Sequence, residues 1–233
     1  MQNSSNTNYS GIKELQATEI LKNYNYSIVS KAYKYMDDEP VVDFGAGIGT
    51  LSELFRSNYG ISPICIEIDS ENIKFLEKRG FEHKANLEDC NRKFNFIFSS
   101  NVLEHIENDL NVLELFYNSL EKNGKVFLYL PANMLLWSEM DVVVGHYRRY
   151  TKKEIKEKLV KAGFSLVKVH YADSLGFFAT FFIKVFGFKS SINSDMERSF
   201  KIYDKFLFPI SNFLDSVGLK FFLGKNIVVV ARK

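Results

Sequence analysis

The sequence predicts an α/β domain built on a doubly wound parallel sheet, and three observations carry that reading. Short β-branched and aromatic runs alternate with stretches of about 10 to 15 residues whose apolar positions recur at helical spacing. Several helical stretches begin at Ser or Thr and stop at Gly, the residue types that satisfy helix ends. The first clear strand, PVVDF (40–44), runs directly into a turn of glycines, GAGIG (45–49). Parallel strands joined by helices need both faces covered, and such sheets bind ligands at the carboxyl ends of their strands.

The elements follow in order. Residues 1–11 are polar and expected to fray. Apolar residues recur at helical intervals from Ile12 to Met36, which predicts one N-terminal helix (12–36) stopped by DDEP. After the glycine turn, TLSELFRSNY is an amphipathic helix closed by Gly60, and SPICIEID is a second strand. SENIKFLEKRG reads as a helix with Ser70 as its cap and Gly80 as its stop. A weak strand near EHKAN, the strand FNFIFSS, the helix NDLNVLELFYNSLEKNG and the strand KVFLYLPA come next. TKKEIKEKLVKAGF is a Thr-capped helix, and SLVKVHYAD and NIVVVARK are the last two strands. Between those two lies a helical insert, residues 174–224, rich in Phe at helical spacing.

Bulk properties narrow the function classes. With 233 residues, 46% hydrophobic, 25% charged and a net charge of +2, the chain has the composition of a globular domain. Its basic residues are spread along the sequence apart from short clusters such as RRYTKK, so no nucleic-acid partner is expected. Cys65 and Cys90 make no metal spacing, and no metal is expected. The N-terminal stretch lacks a basic start followed by an apolar core, and the longest apolar run contains Lys184. A cytoplasmic protein without signal peptide or membrane span is expected.

The glycines alone do not choose a ligand. Gly45, Gly47 and Gly49 give G-x-G-x-G, which departs from the dinucleotide pattern G-x-G-x-x-G because position 50 is Thr. Asp43 precedes the turn, where a carboxylate repels a pyrophosphate and attracts an ammonium or sulfonium. Glu67 ends the next strand, 24 residues after Asp43, where an acid can accept the hydroxyls of a ribose. Asp69, two residues on, is the alternative for that role.

These positions resemble the class I S-adenosylmethionine-dependent methyltransferases, from about NYNY to the final strand. The resemblance implies a Rossmann-like sheet of seven strands with the last antiparallel, and S-adenosyl-L-methionine as cofactor. It carries Asp43, Gly45, Ala46, Gly47 and Gly49 onto the motif around the methionine part, and Glu67 with Ile68 onto the ribose-binding strand end. It implies that Asn86 bonds the adenine amino group, that Leu87 covers the adenine face and that Ser100, in SSNVLEHI, lines the methionine tail.

The acceptor side is read from two stretches. His105 lies at the mouth of the fourth strand, either as a packing residue or beside the substrate. SEMDVVVGHYRRYTKKEI (138–155) follows the fifth strand and carries Asp141, His146, Arg148, Arg149 and Tyr150. Its arginines either brace the loop or offer a fork for carboxylate or phosphate, and His146 or Asp141 is available for proton removal. GHYRRYT resembles a stretch found in a bacterial subgroup of these methyltransferases, often associated with sugars, polysaccharide precursors or small metabolites. The insert 174–224 is a cap over the substrate, a peripheral membrane contact or a homodimer contact. The expected activity is methyl transfer to an oxygen or nitrogen of a small-molecule or glycosidic acceptor, with His105, Asp141, His146 and Arg148 on the acceptor side. The rival readings are a nicotinamide-dependent oxidoreductase and a non-catalytic S-adenosylmethionine-binding module.

Overall fold

A computed structural model describes residues 12–186 and 194–233. The frayed end expected at residues 1–11, and residues 187–193 within the insert, lie outside the described residues. The strands are β1 (Val41–Phe44), β2 (Ile64–Ile66), β3 (His83–Lys84), β4 (Phe94–Ser100), β5 (Leu120–Pro131), β6 (Ser165–Ala172) and β7 (Asn226–Arg232). The helices are α1 (Ile12–Glu19), α2 (Lys22–Tyr33), α3 (Thr50–Tyr59), α4 (Ser70–Arg79), α5 (Asp109–Ser119) and the short α6 (Glu139–Val143). They continue with α7 (Lys152–Lys161), α8 (Ser174–Phe186), α9 (Ser194–Ile202) and α10 (Phe208–Ser216).

The strands form one sheet in the order β3-β2-β1-β4-β5-β7-β6, with β7 antiparallel to both neighbours. This is the expected seven-stranded Rossmann-like arrangement. Alternate residues of the central strands fill two core layers. Val42, Ile97, Leu128 and Val229 meet Leu113, Phe116, Ile155 and Leu159 of α5 and α7. Val41, Phe98, Phe127 and Val230 meet Ile28, Val29, Ala32 and Phe55 of α2 and α3. Burying each such side chain stabilises the fold by about 1.5–3 kcal/mol, which explains why the runs are nearly continuous in apolar residues.

Three expectations are corrected. The helix expected over 12–36 breaks at Ile20–Leu21, because α2 buries its apolar face in the core while α1 turns away across the glycine turn. The N-cap of α4 is Asp69 and not Ser70: the Asp69 carboxylate accepts from Glu71 N at 2.8 Å and Asn72 N at 3.1 Å. The helix after β4 ends at Ser119, where Leu120 swings to extended backbone and pairs with Phe94 of β4.

The insert is stitched to the carboxyl edge of the sheet by buried acids. Asp173 accepts from Gly176 N at 3.1 Å and Ser211 Oγ at 3.0 Å, and Asp215 accepts from Asp173 N at 2.7 Å. A π-turn at Tyr203–Leu207 joins α9 to α10 and carries buried Asp204. Asp204 accepts from Asn23 N and Tyr24 N at 3.0 and 2.9 Å, capping the first turn of α2 from about 180 residues away. Among the described residues, no helix is long and apolar enough to cross a membrane.

Candidate active site

β1 leads to β2 and β3 on one side and pairs with β4 on the other, so strand order reverses between β1 and β4. In sheets of this order the carboxyl ends of the strands border a ligand-binding crevice at that point. The glycine turn forms its floor. Gly45, Gly47 and Gly49 take φ of 76°, 54° and 81°, in the left-handed region. A Cβ on Gly45 would stand 2.3 Å from Cγ2 of Val102, so position 45 demands glycine on steric grounds as well. The Gly45 and Ala46 amides donate to Ile66 O at 2.9 and 3.1 Å, tying the turn to the end of β2.

The two acids flanking the turn differ in what holds them. Asp43 is buried against α3, where Ser52 Oγ donates to Oδ2 at 2.7 Å. Burial raises its pKa to about 7, against the opposing Ser52 hydrogen bond. Glu67 accepts three backbone amides, Gly47 N at 2.7 Å, Ile68 N at 2.8 Å and Asp69 N at 2.9 Å. A carboxylate offers about four acceptor positions, so three are filled by the backbone and Glu67 fastens the glycine turn to the strand end. Asp69, the alternative for the ribose, is committed to capping α4.

The remaining cofactor candidates lie around this floor. Ile68 presents its side chain to solvent with 82% exposure. Asn86 is exposed and donates to Asp89 Oδ2 at 3.0 Å. Leu87 is buried in the core layer with Ile66 and Leu103, so its side chain supports the wall from behind. Ser100 ends β4, and Asn101 Nδ2 donates to its hydroxyl at 3.2 Å. Leu15 of α1 reaches within 3.2 Å of where a Gly47 Cβ would be, and Thr50 Oγ1 donates to Glu19 Oε1 at 3.0 Å. α1 is therefore a cover on the glycine turn, a role its periodicity did not signal.

The acceptor-side candidates meet at the ends of β4 and β5. Tyr147 N donates to Glu104 O at 2.7 Å, joining the turn after β4 to the loop after β5. Asp141 accepts from Arg149 Nε at 2.7 Å and from Ser138 N at 2.9 Å, and it pairs with His146 Nδ1 at 2.8 Å. Burial opposes its charge, but the His146 and Arg149 bonds outweigh it and lower the Asp141 pKa to about 2. The His105 and His146 rings stand edge to face, 4.5 Å between centroids. Part of His105 meets solvent, yet desolvation by the loop and the neighbouring His146 lower its pKa to about 4. Arg148 donates to Glu107 O at 2.7 Å and pairs with Asp109 at 2.9 Å, so its fork braces the loop. Arg149 gives Nε and Nη2 to Asp141, and its buried Nη1 has no hydrogen-bond partner.

Glu104 escaped the sequence reading. It is fully buried, neither carboxylate oxygen has a hydrogen-bond partner, and burial raises its pKa to about 8. Its Oε1 lies 3.9 Å from His146 Nε2. An acid beside a histidine in an ordinary polar turn carries no signal of burial; the loop after β5 creates it.

Residues 18–169 match the methyltransferase-domain family. No curated protein sequence matches the chain. Solved structures share the fold. A SAM-dependent methyltransferase from Archaeoglobus fulgidus is 18% identical with TM-score 0.61, over 94% of this chain and 99% of that one. One from Thermotoga maritima is 15% identical with TM-score 0.62, over 95% of each chain. Phosphoethanolamine N-methyltransferase 2 of Haemonchus contortus, in complex with S-adenosyl-L-methionine, is 16% identical with TM-score 0.57, over 91% of this chain and 52% of that one. With the match spanning more than half of the sequence and an acid-flanked glycine turn at the strand-order reversal, this chain belongs to the methyltransferase-domain family, as an enzyme with S-adenosylmethionine as its cofactor.

Proposed function

We propose that the chain methylates an oxygen or nitrogen of a small-molecule or glycosidic acceptor, as in the bacterial subgroup that its GHYRRYT loop resembles. The observation that carries this reading is the joining of the Glu104–His105 turn to the Asp141–His146 loop beside the glycine turn. The cofactor supplies an electrophilic methyl group on a sulfonium. Gly45, Ala46 and Gly47 let the backbone approach it, and Glu67, with one acceptor position left, holds a ribose hydroxyl. Asp43, ionised above about pH 7, contributes negative charge from beneath the turn. Ile68 offers an exposed apolar face to the adenine, Asn86 an amide to its edge, and Ser100 its backbone to the methionine part. Leu87 keeps the adenine wall in place. Asp141 and Arg149 fix His146 so that Nε2 faces Glu104 and His105, and there the acceptor atom is held in line with the methyl group.

Incubating the protein with methyl-labelled cofactor and a panel of hydroxyl and amine acceptors, nucleotide sugars included, tests this. Label should pass to one acceptor class, and His146→Ala should slow transfer by about 100-fold while cofactor affinity holds. Transfer to no acceptor, or an unchanged rate in the variant, would count against the assignment.

A second surface supports a lipid-borne acceptor. Phe178, Phe182 and Phe186 on α8, Phe206 in the π-turn and Phe213 on α10 are each more than 40% exposed, and Lys201, Lys205 and Lys220 lie on other elements of the insert. An uncovered apolar helix face with flanking Lys suits an anionic lipid surface. Co-flotation with anionic vesicles, lost in Phe182→Asp with Phe213→Asp, would bear this out. A concentration-dependent dimer that ignores vesicles would overturn it in favour of a homodimer contact.

A further inference from the structure

We propose that Glu104, His105 and His146 form a binding site for one divalent transition-metal ion at the acceptor end of the crevice. Each offers one donor atom, and the three atoms lie within 4.8 Å of one another. A carboxylate and two imidazoles are the donor set that takes zinc or a neighbouring first-row ion, while Mg²⁺ and Ca²⁺ prefer all-oxygen sites. Ligands about 2.0–2.2 Å from one ion stand closer together than 4.8 Å, so binding draws the side chains in by about an ångström. The site lies on a turn and a loop, where such a shift is small.

Two observations beyond the cluster point to a cation. Glu104 is fully buried and both of its carboxylate oxygens lack a partner, although a buried carboxylate is costly unless paired or bound to a metal. Arg149 attracts Glu104 electrostatically, but it commits Nε and Nη2 to Asp141 and its buried Nη1 makes no hydrogen bond, so it donates to neither Glu104 oxygen. The second observation is support from behind the donors. His146 binds Asp141 through Nδ1, which leaves Nε2 turned toward Glu104, 3.9 Å from Oε1. A carboxylate on the far nitrogen is how metal-bound histidines are oriented.

Three protein donors leave positions open for water or an acceptor oxygen, next to where the methyl group would be delivered. The inference deepens the acceptor-site reading but stands on the donor set alone, and the test separates the two. The full chain, stripped with a chelator, is titrated with Co²⁺ by visible absorption and with Zn²⁺ by calorimetry, and S-adenosylmethionine binding is measured on the same samples. One Co²⁺ per chain, displaced by Zn²⁺, is expected. Glu104→Gln and His146→Ala should weaken it by about 100-fold or more, and Asp141→Asn, which reaches the ion only through His146, by about 10- to 100-fold. His83→Ala, a control outside the cluster, should bind as wild type. Absence of saturable metal binding in wild type, or binding that survives Glu104→Gln and His146→Ala, would overturn the site. Normal cofactor binding in that case would leave the methyltransferase reading intact, whereas loss of cofactor binding with metal binding retained would do the reverse.

Discussion

Two buried glutamates follow the strands on either side of β1, and their surroundings are opposite. Glu67, after β2, is met by three backbone amides; Glu104, after β4, is met by none on either oxygen. The cofactor half of the crevice is thus complete in itself, its turn fastened by its own acid. The acceptor half holds a buried acid that only a proton, a cation or a ligand can answer. A site that stores an unanswered group beside an oriented histidine is shaped by what it binds more than by what it packs.

The contrast can be broken most severely at Asp141, which ties the acceptor half together. Asp141→Ala leaves Arg149 buried without its carboxylate and should destabilise the protein by about 3–5 kcal/mol in urea unfolding. Cofactor affinity, measured below the transition, should change little, because no Asp141 bond reaches the glycine turn.

Asp43 sharpens the comparison from the other half. Its folded pKa of about 7 lies above its ordinary 3.8. Below pH 4 both states hold the proton and stability is unaffected. Between pH 4 and 7 the unfolded chain ionises first, so stability falls as pH rises, and the loss levels off above pH 7 at about 4 kcal/mol. Asp43→Asn keeps a partner for Ser52 and should remove that slope. Thermal melts of both proteins from pH 4 to 8 should therefore diverge toward high pH, with the variant the more stable; parallel curves would mean the carboxylate is not desolvated. The smallest effect is expected at Arg148. Asp109 also binds Tyr150 at 2.8 Å and Lys158 at 2.6 Å, so Arg148→Ala should cost only about 1 kcal/mol by the same unfolding assay.

What could be read in the sequence was what depends on near neighbours. The strands were legible because apolar residues alternate between two core layers, and the glycine turn because positive φ leaves few residue choices. The cap of α4 was misread by one residue, since Asp69 and Ser70 are both good caps and only the structure shows which one accepts the amides. The break at Ile20–Leu21 was hidden because these residues continue the helical periodicity, while the cap that starts α2 comes from Asp204 in the insert. Glu104 was invisible for a similar reason. Its isolation is set by a bond from Tyr147 and by Arg149 choosing Asp141, neither of which follows from a local pattern.

The division of the crevice is tested most directly by calorimetric titration of S-adenosylmethionine into wild type, Glu67→Gln and Glu104→Gln. The account predicts micromolar binding to wild type, at least about tenfold weaker binding to Glu67→Gln, and wild-type affinity in Glu104→Gln. Equal losses in both variants, or no binding to wild type at all, would contradict it.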